Sequence, residues 1–285
     1  MSITLKNVSY TYAPNTVFES PALQNVSLHI EQGEFVGLMG KTGCGKSTLI
    51  QLMDGLLPPT EGNVLLDGED IFAKGYDRSK LRRKVGVVFQ YPEYQLFEST
   101  VEKDVAFGLK HLSLTAEEKH RQVRWALETV GFDFDQVREL SPLEFSGGEK
   151  RRIAIAGVLA AKPEILILDE PIAGLDPLGR EAFLRLTDTL NAQGVTILMI
   201  SHNADALAEH ARRILVLENG VLLRDEPSKT LFADTDFLLQ HGLGIGQCRR
   251  IARLLQEKGH SIPDDVLRYE ELLPHLLRIG KGAAK

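Results

Sequence analysis

The clearest hydrophobic pattern in this chain is a series of short, unbroken apolar runs. Phe35 to Met39, Val85 to Phe89, Ile165 to Leu168, Val195 to Ile200 and Ile214 to Leu217 are each bounded by glycines or by polar and charged residues. Runs this short and rich in Val, Ile and Leu predict strands buried on both faces, as in a parallel sheet. Elsewhere the pattern changes. Ile3 to Tyr10 alternates like a strand with one face exposed, and Ala22 to Ile30 reads as a second, with Pro14, Asn15 and Pro21 marking the loop between them. Pro58-Pro59-Thr60-Glu61-Gly62 breaks the chain before a further strand, Asn63 to Leu66, which Asp67-Gly68 closes as a turn.

Helical patterns fill the rest. Leu49 to Met53 follows a glycine-rich loop, and from Tyr91 to about Ala161 the pattern turns helical, with a capping box at Thr115-Ala116-Glu117-Glu118 and apolar residues Val123, Leu127 and Val130 at helical spacing. Leu178 to Asn191 is another helix, and Asn219-Gly220 marks a hairpin. The chain then continues as helical segments broken at Pro227, at Gly242-Leu243-Gly244-Ile245-Gly246 and at Pro263, and its last residues, Gly280 to Lys285, are expected to fray. That glycine group follows no strand, so it is not a dinucleotide fingerprint.

At 285 residues the chain is long enough for one α/β core with an appendage. A formal net charge of −6 and a pI near 5.8 argue against a general nucleic-acid binder, which needs a basic face. Arg78, Lys80, Arg82, Arg83 and Lys84 form one candidate for a local basic patch, of a kind that is usually solvated surface. The two cysteines, Cys44 and Cys248, suggest neither a disulfide framework nor a zinc site. No apolar run approaches the ~20 residues that span a bilayer, so a role at a membrane is expected to come through a partner.

The chemistry begins at Gly40-Lys41-Thr42-Gly43-Cys44-Gly45-Lys46-Ser47-Thr48, which fits the phosphate-binding pattern G-x-x-x-x-G-K-[ST] between a buried strand and a helix. Its glycines let backbone N–H groups from Gly43 to Thr48 face a phosphate at the positive end of the helix dipole. Lys46 supplies a point charge for the β and γ oxygens, and Ser47 suits Mg²⁺. Cys44 reads as a small filler. Further along, Ile165 to Leu168 delivers Asp169 and Glu170 at a strand end, one carboxylate for a metal and the other for an attacking water. Gln90 and His202 each follow a buried strand, where such sheets bind ligands, and Ser146-Gly147-Gly148-Glu149 opens a helix as a second anion site. Tyr12, before this core, can stack on a base.

In this order the motifs resemble those of the ATP-binding cassette (ABC) ATPases, from about residue 2 to residue 235. The resemblance implies a P-loop α/β fold with a RecA-like parallel core, an N-terminal antiparallel β subdomain, a helical subdomain over about residues 91–161, and a short C-terminal helical extension over 236–285. It implies ATP and Mg²⁺ as ligands, with Tyr12 on the adenine, and Ser47, Gln90 and Asp169 around the metal. Glu170 is then the catalytic carboxylate, His202 the switch histidine, Asp176 the D-loop aspartate, and Ser146-Gly147-Gly148-Glu149 a signature that acts across a dimer. Phe89 to Phe97 and Val101 to Gly108 are similar to the ATPase subunits of energy-coupling factor (ECF) importers of vitamins or metal ions, and the Asn15 to Pro21 insertion resembles the second of their two ATPase paralogues. The family implies a second ATPase subunit, identical or paralogous, an integral membrane coupling subunit, and substrate-binding membrane subunits, all met at the cytoplasmic face of the membrane.

Four positions depart from the family pattern: Phe145 and Glu149 in the signature, Ile172 where threonine is common, and Asn203 where aspartate is frequent. A P-loop kinase would have no use for the signature, and a GTPase would need an Asn-Lys-x-Asp that is absent. A soluble cassette switch in cofactor assembly or nucleic-acid metabolism is the alternative function. Finally, Tyr91, Tyr94, Leu96 and Phe97, with Glu93, Glu98, Glu102 and Asp104, suggest a docking face for the membrane subunit, the acids receiving a partner's arginines.

Overall fold

The computed structural model describes residues 2–283. The chain begins with two long antiparallel strands, β1 (Ile3–Tyr12) and β2 (Ser20–Ile30), and then enters the main sheet with β3 (Phe35–Met39). Helix α1 (Lys46–Met53) follows, and the chain returns to the first sheet through β4 (Glu61–Leu66) and the two-residue β5 (Glu69–Asp70). Helix α2 (Arg78–Lys84) leads to β6 (Val85–Val88). The helical part holds a 3-10 turn (Pro92–Gln95), α3 (Val101–Phe107), α4 (Ala116–Thr129), the single turn α5 (Phe134–Val137) and α6 (Gly147–Leu159). Then come β7 (Ile165–Asp169), α7 (Pro177–Ala192), β8 (Thr196–Ile200), α8 (Ala204–His210) and the hairpin β9 (Arg213–Glu218) with β10 (Val221–Pro227). Four helices close the chain: α9 (Ser228–Ala233), α10 (Thr235–Gln240), α11 (Gln247–Glu257) and α12 (Tyr269–Ala283). Gly280 to Ala283, expected to fray, instead continue helix α12, and residues 284–285 lie outside the described residues.

The main sheet has the order β10-β9-β3-β8-β7-β6 and is parallel except for its edge strand β10. The smaller sheet, β2-β1-β4-β5, is antiparallel. The unbroken apolar runs follow from burial on both faces. Along β3, Val36 and Leu38 join a core shared with the antiparallel sheet and α1, while Phe35 and Met39 join the core beneath the helical part. The same alternation divides Ile165 and Ile167 from Leu166 and Leu168 in β7. A third, small core around Ala252, Ile262, Val266 and Leu272 holds the last two helices together.

This topology positions the site. Leu38 of β3 and Asp169 of β7 both pair with Ile200 of β8, so the loops after these three parallel strands leave the sheet at one edge. Two residues beyond the last pair of β6 with β7, Val88 with Leu168, the chain reaches Gln90 on one side and Glu170 on the other. Among the described residues no helix is long and apolar enough to cross a membrane.

Candidate nucleotide site

The loop between β3 and α1 takes its shape from its glycines. Gly45, at φ 108°, is the N-cap of α1, and a side chain there would come within 2.6 Å of the Ala22 carbonyl oxygen. Gly43, at φ 81°, has open space on its side-chain face. No side chain caps α1, so the amides of its first turn face outward with the helix dipole behind them. These features fit a phosphate. Lys46 folds back over the loop, its Nζ donating to the carbonyls of Gly40 at 2.6 Å and Lys41 at 2.9 Å. Cys44 is buried, and that burial raises its thiol pKa, as suits a filler. Tyr12 reaches the same helix, its hydroxyl sharing a hydrogen bond of 3.0 Å with Thr48. Its ring packs edge-on against Tyr10, with 40% of the residue exposed.

Asp169 and Glu170 leave β7 beside this loop. Burial raises both carboxyl pKa values, against the opposing charges of Lys46 and His202. Glu170 has φ 47°, a left-handed conformation that costs a non-glycine residue energy and marks functional sites when the surrounding structure holds it. Its backbone N–H donates to Ile200 O at 3.0 Å, and the Ser201 hydroxyl donates to Oε2 at 3.4 Å. The other oxygen, Oε1, is buried without a hydrogen bond and faces His202 Nε2 at 3.6 Å. A carboxylate held in this way can accept a proton from a water placed between it and a phosphate. No cluster of three or more His, Cys, Asp or Glu side chains could alone hold a metal among the described residues. A cation here would need phosphate oxygens as well, which is the usual way Mg²⁺ is bound.

The signature residues stand apart. Ser146 caps α6, and together with Gly147, Gly148, Glu149 and Asp176 it borders a cavity of about 950 Å³ to which no residue of the phosphate loop contributes. Glu149 completes a capping box: it accepts from the Ser146 N–H at 2.9 Å and from the Ser146 hydroxyl at 2.7 Å, and these bonds lower its pKa. Asp176 caps α7 by accepting from Gly179 N at 2.8 Å.

Three departures from the family pattern have local reasons. Asn203 caps α8 through Ala206 N at 2.9 Å, a task aspartate and asparagine share. Ile172 is buried in the main core, and Phe145 packs edge-on against Phe132.

The acids of the suggested docking face are not free to receive a partner's arginines. Glu93 is paired at 3.0 Å with Arg151, Asp104 accepts from the backbone of Phe97 and Glu98, Glu98 meets Lys110 at 3.2 Å, and Glu102 meets His120 at 2.9 Å. The aromatics, in contrast, are open: Tyr94 is 85% and Phe97 63% exposed. Two contacts escaped the sequence reading. Arg151, inside a run of charge, is 4% exposed, and the only sign of its burial was Ile155 and Leu159 at the following helical positions. Glu218 lies between Lys41 of the phosphate loop, at 4.0 Å, and His241 at the end of α10, at 3.0 Å, a link between segments distant in sequence.

Comparison with known proteins bears on the family and the fold. The family described as "ABC transporter" matches residues 23–173. The chain is 45% identical to the energy-coupling factor transporter ATP-binding protein EcfA2 of Clostridium tetani, over 100% of this chain and 99% of that one. It is 48% identical to the protein of the same description from Symbiobacterium thermophilum, over 95% of this chain and 94% of that one. Among solved structures, cbiO1 from Clostridium perfringens, described as part of the ABC transporter complex cbiONQ, superposes with a TM-score of 0.74 at 32% identity over 89% of this chain and 98% of that one. A dimeric ATP-binding cassette, MJ0796, bound to ADP and Pi, gives 0.70 at 32% identity over 79% and 98%. The chain belongs to the ABC transporter ATPases, among the energy-coupling factor transporter ATP-binding proteins.

Proposed function

We propose that this chain binds and hydrolyses ATP as the motor subunit of an ECF-type membrane importer. The observation that carries the reading is the buried Oε1 of Glu170, free of hydrogen bonds at the edge of the sheet where the phosphate loop opens. ATP lies with its phosphates on the amides of Gly43 to Thr48, its γ-phosphate toward Lys46 and His202, and its adenine on Tyr12. Glu170 orients and deprotonates the attacking water, while Lys46 and His202 stabilise charge on the transferred group. Ser47, Asp169 and Gln90 are the residues that would hold Mg²⁺, which would supply neutralisation of phosphate charge.

The cavity that Ser146 to Glu149 border takes no residue from their own phosphate loop, which supports a second ATPase subunit, a copy or a paralogue, supplying the signature across a head-to-tail dimer. ATP closes that dimer and hydrolysis opens it. An integral membrane coupling subunit, docked on the exposed aromatics near Tyr94 and Phe97, carries the motion to a substrate-binding membrane subunit, with the ATPase at the cytoplasmic face. Purification of the chain from membranes with identification of what accompanies it tests this reading. Recovery of an intact, ATP-hydrolysing protein with no membrane partner would overturn it.

A further inference from the structure

The Arg151 guanidinium joins three segments that the proposed mechanism treats separately. Arg151 lies in the second turn of α6, five residues after Ser146, with its side chain 5% exposed. Its Nε and Nη2 donate to the two oxygens of Glu93, both at 3.0 Å, in the fork-to-fork geometry that gives orientation as well as attraction. Its Nη1 donates to the carbonyls of Ala173, at 2.5 Å, and Pro171, at 3.4 Å. Glu93 lies three residues beyond Gln90, and Pro171 directly follows Glu170.

Both of these segments contain backbone strain. Tyr91, between Gln90 and Glu93, has φ 56°, and Glu170 has φ 47°. Non-glycine residues keep such conformations only where their surroundings hold them. Arg151 touches the chain just downstream of each, and its guanidinium also stands 5.7 Å from the centre of the Tyr91 ring. A buried arginine with a carboxylate and two carbonyls as acceptors is a preformed bracket and is poorly replaced by lysine, which is a point charge.

We infer that Arg151 is a positioning residue for hydrolysis: it holds the left-handed turns at Tyr91 and Glu170, and hence Gln90 and Glu170, in register with the helix that carries the signature. Its guanidinium donates to Glu93, Pro171 and Ala173, and through them it acts on the reacting groups. This inference rests on the proposed ATPase reading, and the test separates the two. If the wild-type chain with its partners hydrolyses no ATP, the ATPase reading fails whatever Arg151 does.

The experiment compares wild type, Arg151→Lys, Arg151→Met and Glu93→Gln for steady-state ATPase, fluorescent-nucleotide affinity and thermal midpoint, per mole of folded protein. Misplacing a reacting group by about 1 Å costs on the order of 100-fold in rate. We expect kcat to fall roughly ten- to hundredfold in Arg151→Lys and Arg151→Met, with KM and nucleotide affinity within about threefold of wild type and no rescue by the lysine. Glu93→Gln, which keeps the shape and one acceptor, falls in between and guards against a folding failure of the arginine variants. A lowered thermal midpoint with unchanged kcat in the folded fraction, or full rescue by Arg151→Lys, would show a purely structural role and overturn the inference.

Discussion

Glu170 Oε1 stands 3.6 Å from His202 Nε2 while Ser201 holds the opposite oxygen, so one carboxyl group is anchored on one side and open on the other. Glu170→Gln keeps this shape and removes the base. We expect turnover to drop by about 10²–10⁴-fold with ATP affinity retained. Near-normal hydrolysis by the variant would remove Glu170 from the role.

The raised pKa of Glu170 adds a pH signature to the same prediction. Burial favours the neutral acid, so the base is lost on acidification at a higher pH than an ordinary carboxylate would show. The acid limb of the kcat/KM profile, which reports the free enzyme, therefore lies above the usual glutamate range, and a limb at or below it would contradict the assignment.

The cavity that Ser146 borders has no residue of the phosphate loop in its lining. Ser146→Arg should therefore leave nucleotide binding to the isolated chain within about twofold yet abolish ATP-driven dimerisation, because a long cation at the N-terminus of α6 opposes the helix dipole and blocks the cap. Sedimentation in ATP and Mg²⁺ with an undiminished dimer would refute the assignment across the dimer.

Much of the fold and of the nucleotide site could be read in the sequence because the strands of the main sheet are buried on both faces and the phosphate loop has a dense local signature. The capping box at Thr115 belongs to the same kind of evidence, since it spans only four residues. What stayed hidden was long-range pairing. The separation between Glu93 and Arg151 is 58 residues, and no local pattern says that an acid on an aromatic loop is already occupied by a helix that far away. The basic cluster on α2 is another instance: Lys80 meets Glu69 at 2.6 Å and Lys84 meets Asp67 at 3.1 Å, so part of its charge is neutralised by the neighbouring sheet turn. The two-residue strand β5 is too short to leave a period.

Asp54, at the end of α1, has its pKa raised from 3.8 to about 6 by burial, with Arg82 only partly opposing it. The folded protein therefore holds a proton more tightly than the unfolded chain, and stability is lost as pH rises from about 4 through about 6. Above that window the buried carboxylate costs about 1–3 kcal/mol, because each tenfold gain in proton affinity on folding is worth roughly 1.4 kcal/mol. Asp54→Asn should raise the thermal midpoint at pH 8 and leave it nearly unchanged at pH 4. An equal effect at both values, or destabilisation at pH 8, would show that the charge of Asp54 is compensated in the fold.

The proposed docking face would rest on aromatic surface, since its acids are already engaged. Tyr94 and Phe97 are the most exposed of its rings, and Phe97 packs edge-on against Phe107, 4.8 Å between centres, with Lys110 4.0 Å above the Phe107 ring. Exposed aromatics held by neighbours are suited to anchor a partner, because little side-chain freedom remains to be lost on binding. The segment begins immediately after Gln90, so whatever docks there shares a short, strained loop with the γ-phosphate side of the nucleotide. The double variant Tyr94→Ala, Phe97→Ala should keep the thermal midpoint and ATP affinity of wild type. A hot-spot aromatic contributes at least about 2 kcal/mol, and because such losses are not additive the double variant should weaken affinity for a membrane subunit by at least the roughly 30-fold that one such loss represents. Reversing Glu93 is a poorer probe, because it would expel the Arg151 side chain from the site beneath. Recovery of the complex at wild-type yield from the aromatic variant, with transport intact, would place the docking face elsewhere on the molecule.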